Sequence, residues 1–137
     1  MEAIRSLLHR YADAVCRFDP DQWAATWAPE GVWDMGRTKV EGREAIGETW
    51  KTIMSGIPAV YHVYYNGTAD LDDDAGTGSG RWYVGEFLHM ADGSTVAMYG
   101  YYDDEYLLID GEWLFSTRTL TPLYRGPADM SGDFLRE

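Results

Sequence analysis

The chain has 137 residues, 45% of them hydrophobic and 15% aromatic, which is the size of one domain and enough to bury a core without staples. Its formal net charge of −12 argues against a nucleic acid or an anionic membrane as partner, because both demand clustered Lys and Arg. No apolar run reaches the roughly 18 residues of a membrane helix, the first residues lack a secretion-signal pattern, and the lone Cys16 permits neither an internal disulfide nor a CxxC metal site, so a cytoplasmic setting is expected.

Taken in chain order, Glu2 to Phe18 carries Ile4, Leu7, Leu8, Tyr11 and Val15 on one face, the spacing of an amphipathic helix. Asp19-Pro20-Asp21-Gln22 reads as a second helix start, with Asp as N-cap, Pro at the first helical position and Gln22 where a capping-box partner sits. That helix carries Trp23 and Trp27 on one side and ends at Pro29 and Gly31. Val32 to Met35 and Lys39 to Val40 read as a short strand pair around Gly36. Glu41 to Ser55 is a third helix, with Ile46, Trp50, Ile53 and Met54 at helical spacing, stopped by Gly56 and Pro58.

The character then changes. Val60 to Tyr65 is β-branched and aromatic and continues through Ala69 to Leu71. Asp72 to Gly78 is an acidic turn, read as solvated because it lacks the spacing of a cation-binding loop. Gly80 to Met90, Ser94 to Ile109 and Glu112 to Tyr124 are strands joined by turns at Ala91-Asp92-Gly93 and Asp110-Gly111, with a bend or bulge near Gly100 or Asp103-Asp104. Helices followed by an antiparallel meander define an α+β fold. Here it is a cone-shaped, curved antiparallel β-sheet packed against three N-terminal helices and enclosing a pocket. Residues 1–137 form one domain, of which 125–137 are an extended C-terminal tail.

These landmarks resemble the nuclear transport factor 2-like superfamily in its SnoaL-like branch: Tyr11-(x7)-Asp19, the Trp23/Trp27 helix, His62, Gly80-Arg81-Trp82-Tyr83, Tyr102-Asp103-Asp104-Glu105-Tyr106, Asp110-Gly111-Glu112-Trp113 and Arg118. The resemblance covers Ala3 to about Tyr124 and is strongest to the lyases, among them scytalone dehydratase, bile-acid 7α-dehydratase and hexachlorocyclohexane dehydrochlorinase. It implies a pocket His–Asp general base, with His62 and Asp19 at the matching positions. It also implies a pocket Arg at Arg118, a pocket Trp at Trp33, and a carboxylate at Glu86. Two features depart from the pattern: Ala14 stands where relatives carry Lys or Tyr, and His89 is one residue out of phase with a second pocket His.

Strand alternation extends the set. If Trp82 points inward, so do Val84, Glu86 and Leu88, and the family phase adds Met98, Gly100, Tyr102, Arg118, Leu120 and Pro122. The catalytic candidates are therefore His62, Asp19, Arg118 and Glu86. The substrate-binding candidates are Tyr11, Trp33, Trp82, Val84, Met98, Gly100, Tyr102 and Leu120, with Gly100 making room for the ligand. No metal and no cofactor is called for.

Each site residue has a plainer reading beside the catalytic one. Asp19 is fully explained by a helix cap, His62 by a satisfied core histidine, and Arg118 by an ion pair with Glu86 across the sheet. Trp23, Trp27, Trp50 and Trp113 read as core, His9 as exposed, and Cys16 as a packing residue. The expected function is a cofactor-independent lyase, of the dehydratase or elimination type, on a small hydrophobic ring-containing metabolite such as a steroid, polyketide or aromatic compound. The alternatives are an isomerase or cyclase on the same scaffold and a non-catalytic small-molecule-binding module. Tyr99 and Tyr101 fall on the outer sheet face, the surface through which relatives form dimers or trimers, so a homo-oligomer is expected.

Overall fold

The amphipathic stripe at the N-terminus folds as helix α1 (Glu2–Arg17), with Ile4, Leu7, Leu8, Tyr11, Ala14 and Val15 buried. The structure is a computed structural model and describes residues 1–129 and 132–134. Helix α1 ends at Phe18, whose φ of 53° lies in the left-handed region, a conformation costing about 1 kcal/mol for a non-glycine residue. The Phe18 and Asp19 amides return to the Val15 and Ala14 carbonyls, and the Phe18 ring stacks on Trp50 at 5.3 Å.

Helix α2 (Pro20–Ala24) starts as expected, with the Gln22 amide donating to Asp19 Oδ1 at 3.0 Å. The second half of the capping box does not form. The Asp19 amide already serves Ala14, and the Gln22 side chain donates to the Arg10 carbonyl and to Asp13. The helix is also shorter than the Trp23/Trp27 spacing implied. It stops at Ala24, and Trp27 opens strand β1 (Trp27–Asp34). The two indoles still meet, at 5.8 Å, across the corner. Pro29 lies where the register of β1 slips between Trp27 and Val32, a place where its missing N–H disrupts no ladder.

Strand β2 (Lys39–Glu41) and helix α3 (Arg43–Met54) follow, then β3 (Ala59–Asp72), β4 (Thr77–His89), β5 (Thr95–Ile109), β6 (Glu112–Gly126) and β7 (Asp133–Phe134). The sheet order is β2-β1-β6-β5-β4-β3, with β7 beside β6. Strands β3 to β6 form the expected antiparallel meander. The sheet as a whole is mixed, because β1 runs parallel to β6. Alternation along a strand reveals its faces but not its partner, so this junction could not be read from the chain. Register shifts fall at Tyr99/Gly100, where a bulge was expected, and at Glu105/Tyr106.

Helices α1 and α3 cover the concave face of the sheet. The core between them is aromatic: Trp23 stacks on Trp50 at 4.7 Å and meets Trp33 edge-on at 5.1 Å, with Trp27, Trp113 and Phe115 in the same cluster. Truncating such a buried aromatic costs roughly 3–5 kcal/mol. The opposite face carries Tyr99 and Tyr101, as expected, in ring contact with Tyr65, Tyr83 and Phe87. Tyr61 and Tyr65 are 67% and 57% exposed there.

The chain after Tyr124 is not simply extended. Strand β6 continues to Gly126, and β7 returns to pair Arg125 with Asp133. Tyr124 Oη donates to the Pro127 carbonyl and accepts from the Gly132 amide. The expected tail also spans residues 130–131 and 135–137, which lie outside the described residues.

Candidate functional site

A cavity of about 320 Å³ opens between the concave sheet face, α1 and α3. Its wall is mostly apolar, from Val15, Met35, Trp50, Ile53, Met54, Ile57, Leu88, Met90 and Val96, with a few polar groups, the usual composition of a small-molecule site. Six of the expected residues line it: Tyr11, Trp33, His62, Glu86, Tyr102 and Leu120. A wider groove of about 550 Å³, lined by Thr68, Asp70, Arg81 and Asp103 among others, is open and polar and contains neither His62 nor Glu86. Its Arg81 is already paired with Asp103 at 2.7 Å.

His62 is 3% exposed and is held from several sides. Its backbone is clipped to α1, where its amide donates to Cys16 Sγ at 3.4 Å. Cys16 is thus an exposed residue at the helix surface, touching the backbone of His62 rather than filling the core. Register places His62 directly opposite Glu86 on β4, and Nδ1 lies 2.8 Å from Glu86 Oε2. The ring meets Tyr64 edge-on at 5.0 Å and Tyr11 at 5.5 Å. Nε2 is buried with no hydrogen-bond partner among the described residues. A carboxylate at Nδ1 fixes the neutral tautomer as Nδ1–H and leaves the Nε2 lone pair available as a base.

Asp19 is not the partner of this ring. Its Oδ1 caps α2 and its Oδ2 lies 3.5 Å from Arg17. The extended backbone of an N-cap turns the carboxylate toward the free amides of its own helix. The residue that supports His62 in the structure is Glu86, so the expected Asp19–His62 dyad is replaced by a Glu86–His62 pair.

Arg118 is also placed differently. It does not reach Glu86. Its guanidinium is fully buried, with Nε 2.7 Å from Asp104 Oδ1 and Nη2 3.2 Å from Oδ2. Nη1 donates to Tyr64 Oη at 2.6 Å, and the group lies over the rings of Tyr102, Phe115 and Tyr11 at 3.8, 4.1 and 4.6 Å. Tyr106 Oη donates to Asp104, and Trp82 Nε1 donates to Tyr106 Oη. Burial pushes the Asp104 carboxyl up, against the pull of Arg118. Three donors converge on its oxygens, Arg118 Nε and Nη2 and Tyr106 Oη, and each favours the charged form. Burial likewise raises Tyr11, Tyr64 and Tyr102, which keeps these phenols protonated.

Trp82, Val84 and Met98 point inward as expected but form a layer behind the cavity surface. Trp82 belongs to the aromatic core, and Val84 and Met98 pack with Tyr102 against Tyr64 and Leu120. Gly100 does not make room for a ligand. A Cβ there would lie 2.4 Å from the Thr121 carbonyl oxygen, so glycine is required by the close approach of β6 at the bulge. Asp104 and Tyr64 were not among the candidates. Alternation carries the signal for both: Asp104 shares the parity of Met98 and Tyr102, and Tyr64 that of His62.

Residues 1–119 match the SnoaL-like domain family. A scytalone dehydratase-like protein from Novosphingobium aromaticivorans has a similar structure, with a TM-score of 0.85 and 21% identity, over 92% of this chain and 85% of that one. A hexachlorocyclohexane dehydrochlorinase from Novosphingobium barchaimii gives 0.80 at 18% identity over 99% and 93%. A protein of unknown function from Mycobacterium tuberculosis gives 0.78 at 22% identity over 88% and 69%. At these identities the likeness speaks to the fold. No curated protein matches in sequence.

Proposed function

The chain belongs to the SnoaL-like domain family and has the nuclear transport factor 2-like fold, and we propose that it is a cofactor-independent lyase acting on a small hydrophobic ring-containing metabolite such as a steroid, polyketide or aromatic compound. The observation that carries this reading is His62 Nε2, a buried, unpartnered ring nitrogen beside an apolar cavity, with Nδ1 bound to Glu86. In the proposed step Nε2 takes a proton from a substrate carbon, and the C–H electrons become the new double bond. The hydroxyl or halide on the adjacent carbon leaves with its bonding pair. Glu86 stabilises the imidazolium that forms. Tyr11 or Tyr102, both protonated and on the cavity wall, donates to the departing group.

Mass spectrometry of incubations with ring-bearing secondary alcohols and alkyl halides tests this. The expected product has lost water or hydrogen halide. A product of unchanged mass would reassign the protein as an isomerase, and tight binding without product would make it a binding module.

The aromatic outer sheet face supports a second part of the proposal, a homo-oligomer, dimer or trimer; the single cysteine supports placing it in the cytoplasm. Tyr61 and Tyr65 stand exposed beside the Tyr99 and Phe87 rings in the single chain, the kind of apolar patch that a subunit interface covers. Light scattering after size exclusion is expected to give two or three times the 15.5 kDa chain mass. A monomer at micromolar concentration would refute it.

A further inference from the structure

We propose that Arg125 selects the substrate of this cavity, and that the substrate is an anion whose carboxylate sits at the mouth while its apolar ring lies within. The inference rests on the reading of the cavity as a small-molecule site and adds the charge of the molecule it takes.

Arg118 is neutralised by Asp104, and no part of it is exposed. Among the described residues, the cavity wall contains one guanidinium, that of Arg125, and one carboxylate, that of Glu86. Glu86 is engaged by His62. Arg125 makes no ion pair with any described side chain.

The sheet register places it in relation to the base. His62 stands opposite Glu86, Glu86 opposite Met98, and Met98 opposite Arg125. These four residues form one inward row across β3, β4, β5 and β6. At about 4.8 Å between strands, Arg125 starts about 14 Å from His62 along this row. Bound between the two, a one- or two-ring molecule would meet a base at one end and a cation at the other.

The strand that carries Arg125 is paired on one side with β5 and on the other with β7. This fixes where the side chain starts, at the cavity mouth. From there its planar guanidinium can meet a carboxylate with two parallel hydrogen bonds. The net charge of −12 repels anions at long range. A preference for an acid must therefore come from a local cation.

The test compares 2-naphthoate with 2-naphthylmethanol, a neutral molecule of similar shape, in titrations of intrinsic tryptophan fluorescence at low salt. The native chain is expected to bind the acid at least 10-fold more tightly than the alcohol. Arg125→Gln should abolish that difference without weakening the alcohol, and Arg125→Lys should retain part of it. Equal binding of both probes by the native chain, or a preference that survives Arg125→Gln, would overturn the inference while leaving the cavity reading intact. If neither probe binds, both fall. Elimination activity is not needed for any of these outcomes, so a failure of the lyase proposal is read separately.

Discussion

Replacing His62 by Asn is expected to lower turnover by about 10²- to 10⁴-fold, the range for losing a positioned general base, with little change in the melting curve. Asn keeps an N–H near the position of Nδ1 and so can still donate to Glu86, which now lies 2.8 Å from the ring. It has no basic nitrogen to replace Nε2. The same assay on two carboxylates separates the structural pair from the one implied by resemblance. Glu86→Gln should cost at least about 10-fold, because an amide no longer favours the imidazolium and no longer dictates the tautomer. Asp19→Asn should leave turnover near the native value, because Asn caps a helix about as well as Asp. Nitrogen-15 spectra of the His62 ring give a readout that folding alone does not move. The Nδ1–H form is expected in the native chain and a mixed population in Glu86→Gln. The opposite pattern, activity lost in Asp19→Asn and kept in Glu86→Gln, would restore Asp19 as the partner.

What could be read from the chain was what depends on local periodicity. Alternation along β4 placed Glu86 on the inner face, and the phase implied by the family resemblance placed Tyr102 and Leu120 on the cavity wall. The stripe on α1 gave Tyr11. The choice of partner for His62 depended on something else, the register between β3 and β4. That register shifts between Tyr64 and Gly67, and no local pattern encodes such a slip. The parallel contact of β1 with β6 was hidden for the same reason.

Trp27 shows a different failure. Four residues from Trp23, it fits a helix face, yet the cluster it joins is built from a strand crossing the end of a five-residue helix. Spacing gave the right contact and the wrong element. Gly100 was assigned to the ligand because it lies on an inward strand position, but its missing Cβ is needed by a neighbouring carbonyl. Arg118 was correctly placed inside, and alternation carried two steps past Tyr102 reaches Asp104, the residue that decides what Arg118 can do.

That buried pair gives the second large expectation. Asp104→Ala should destabilise the fold by about 3–5 kcal/mol, the cost of leaving a buried charge without its partner. Total stabilities of such domains are about 5–15 kcal/mol, so urea denaturation should show a large fall in midpoint or no folded baseline. The loss is not the net value of the pair. Desolvating both ions offsets most of their attraction, so Asp104→Leu combined with Arg118→Met should recover most of the native stability. The rings of Tyr102, Phe115 and Tyr11 already enclose the guanidinium and would pack against a Met side chain in its place. The recovered double variant then decides the role of Arg118 in the reaction. With Nε and Nη2 bound to Asp104 and Nη1 to Tyr64, Arg118 holds the Tyr64 ring beside His62, and a positioning role is the one expected. The folded double variant should keep turnover within about 10-fold of native, the cost of losing a side chain that acts only through its neighbour. A well-folded double variant that has lost about 10³-fold or more would mean that Arg118 meets the substrate directly, and that Asp104 must release it during the reaction.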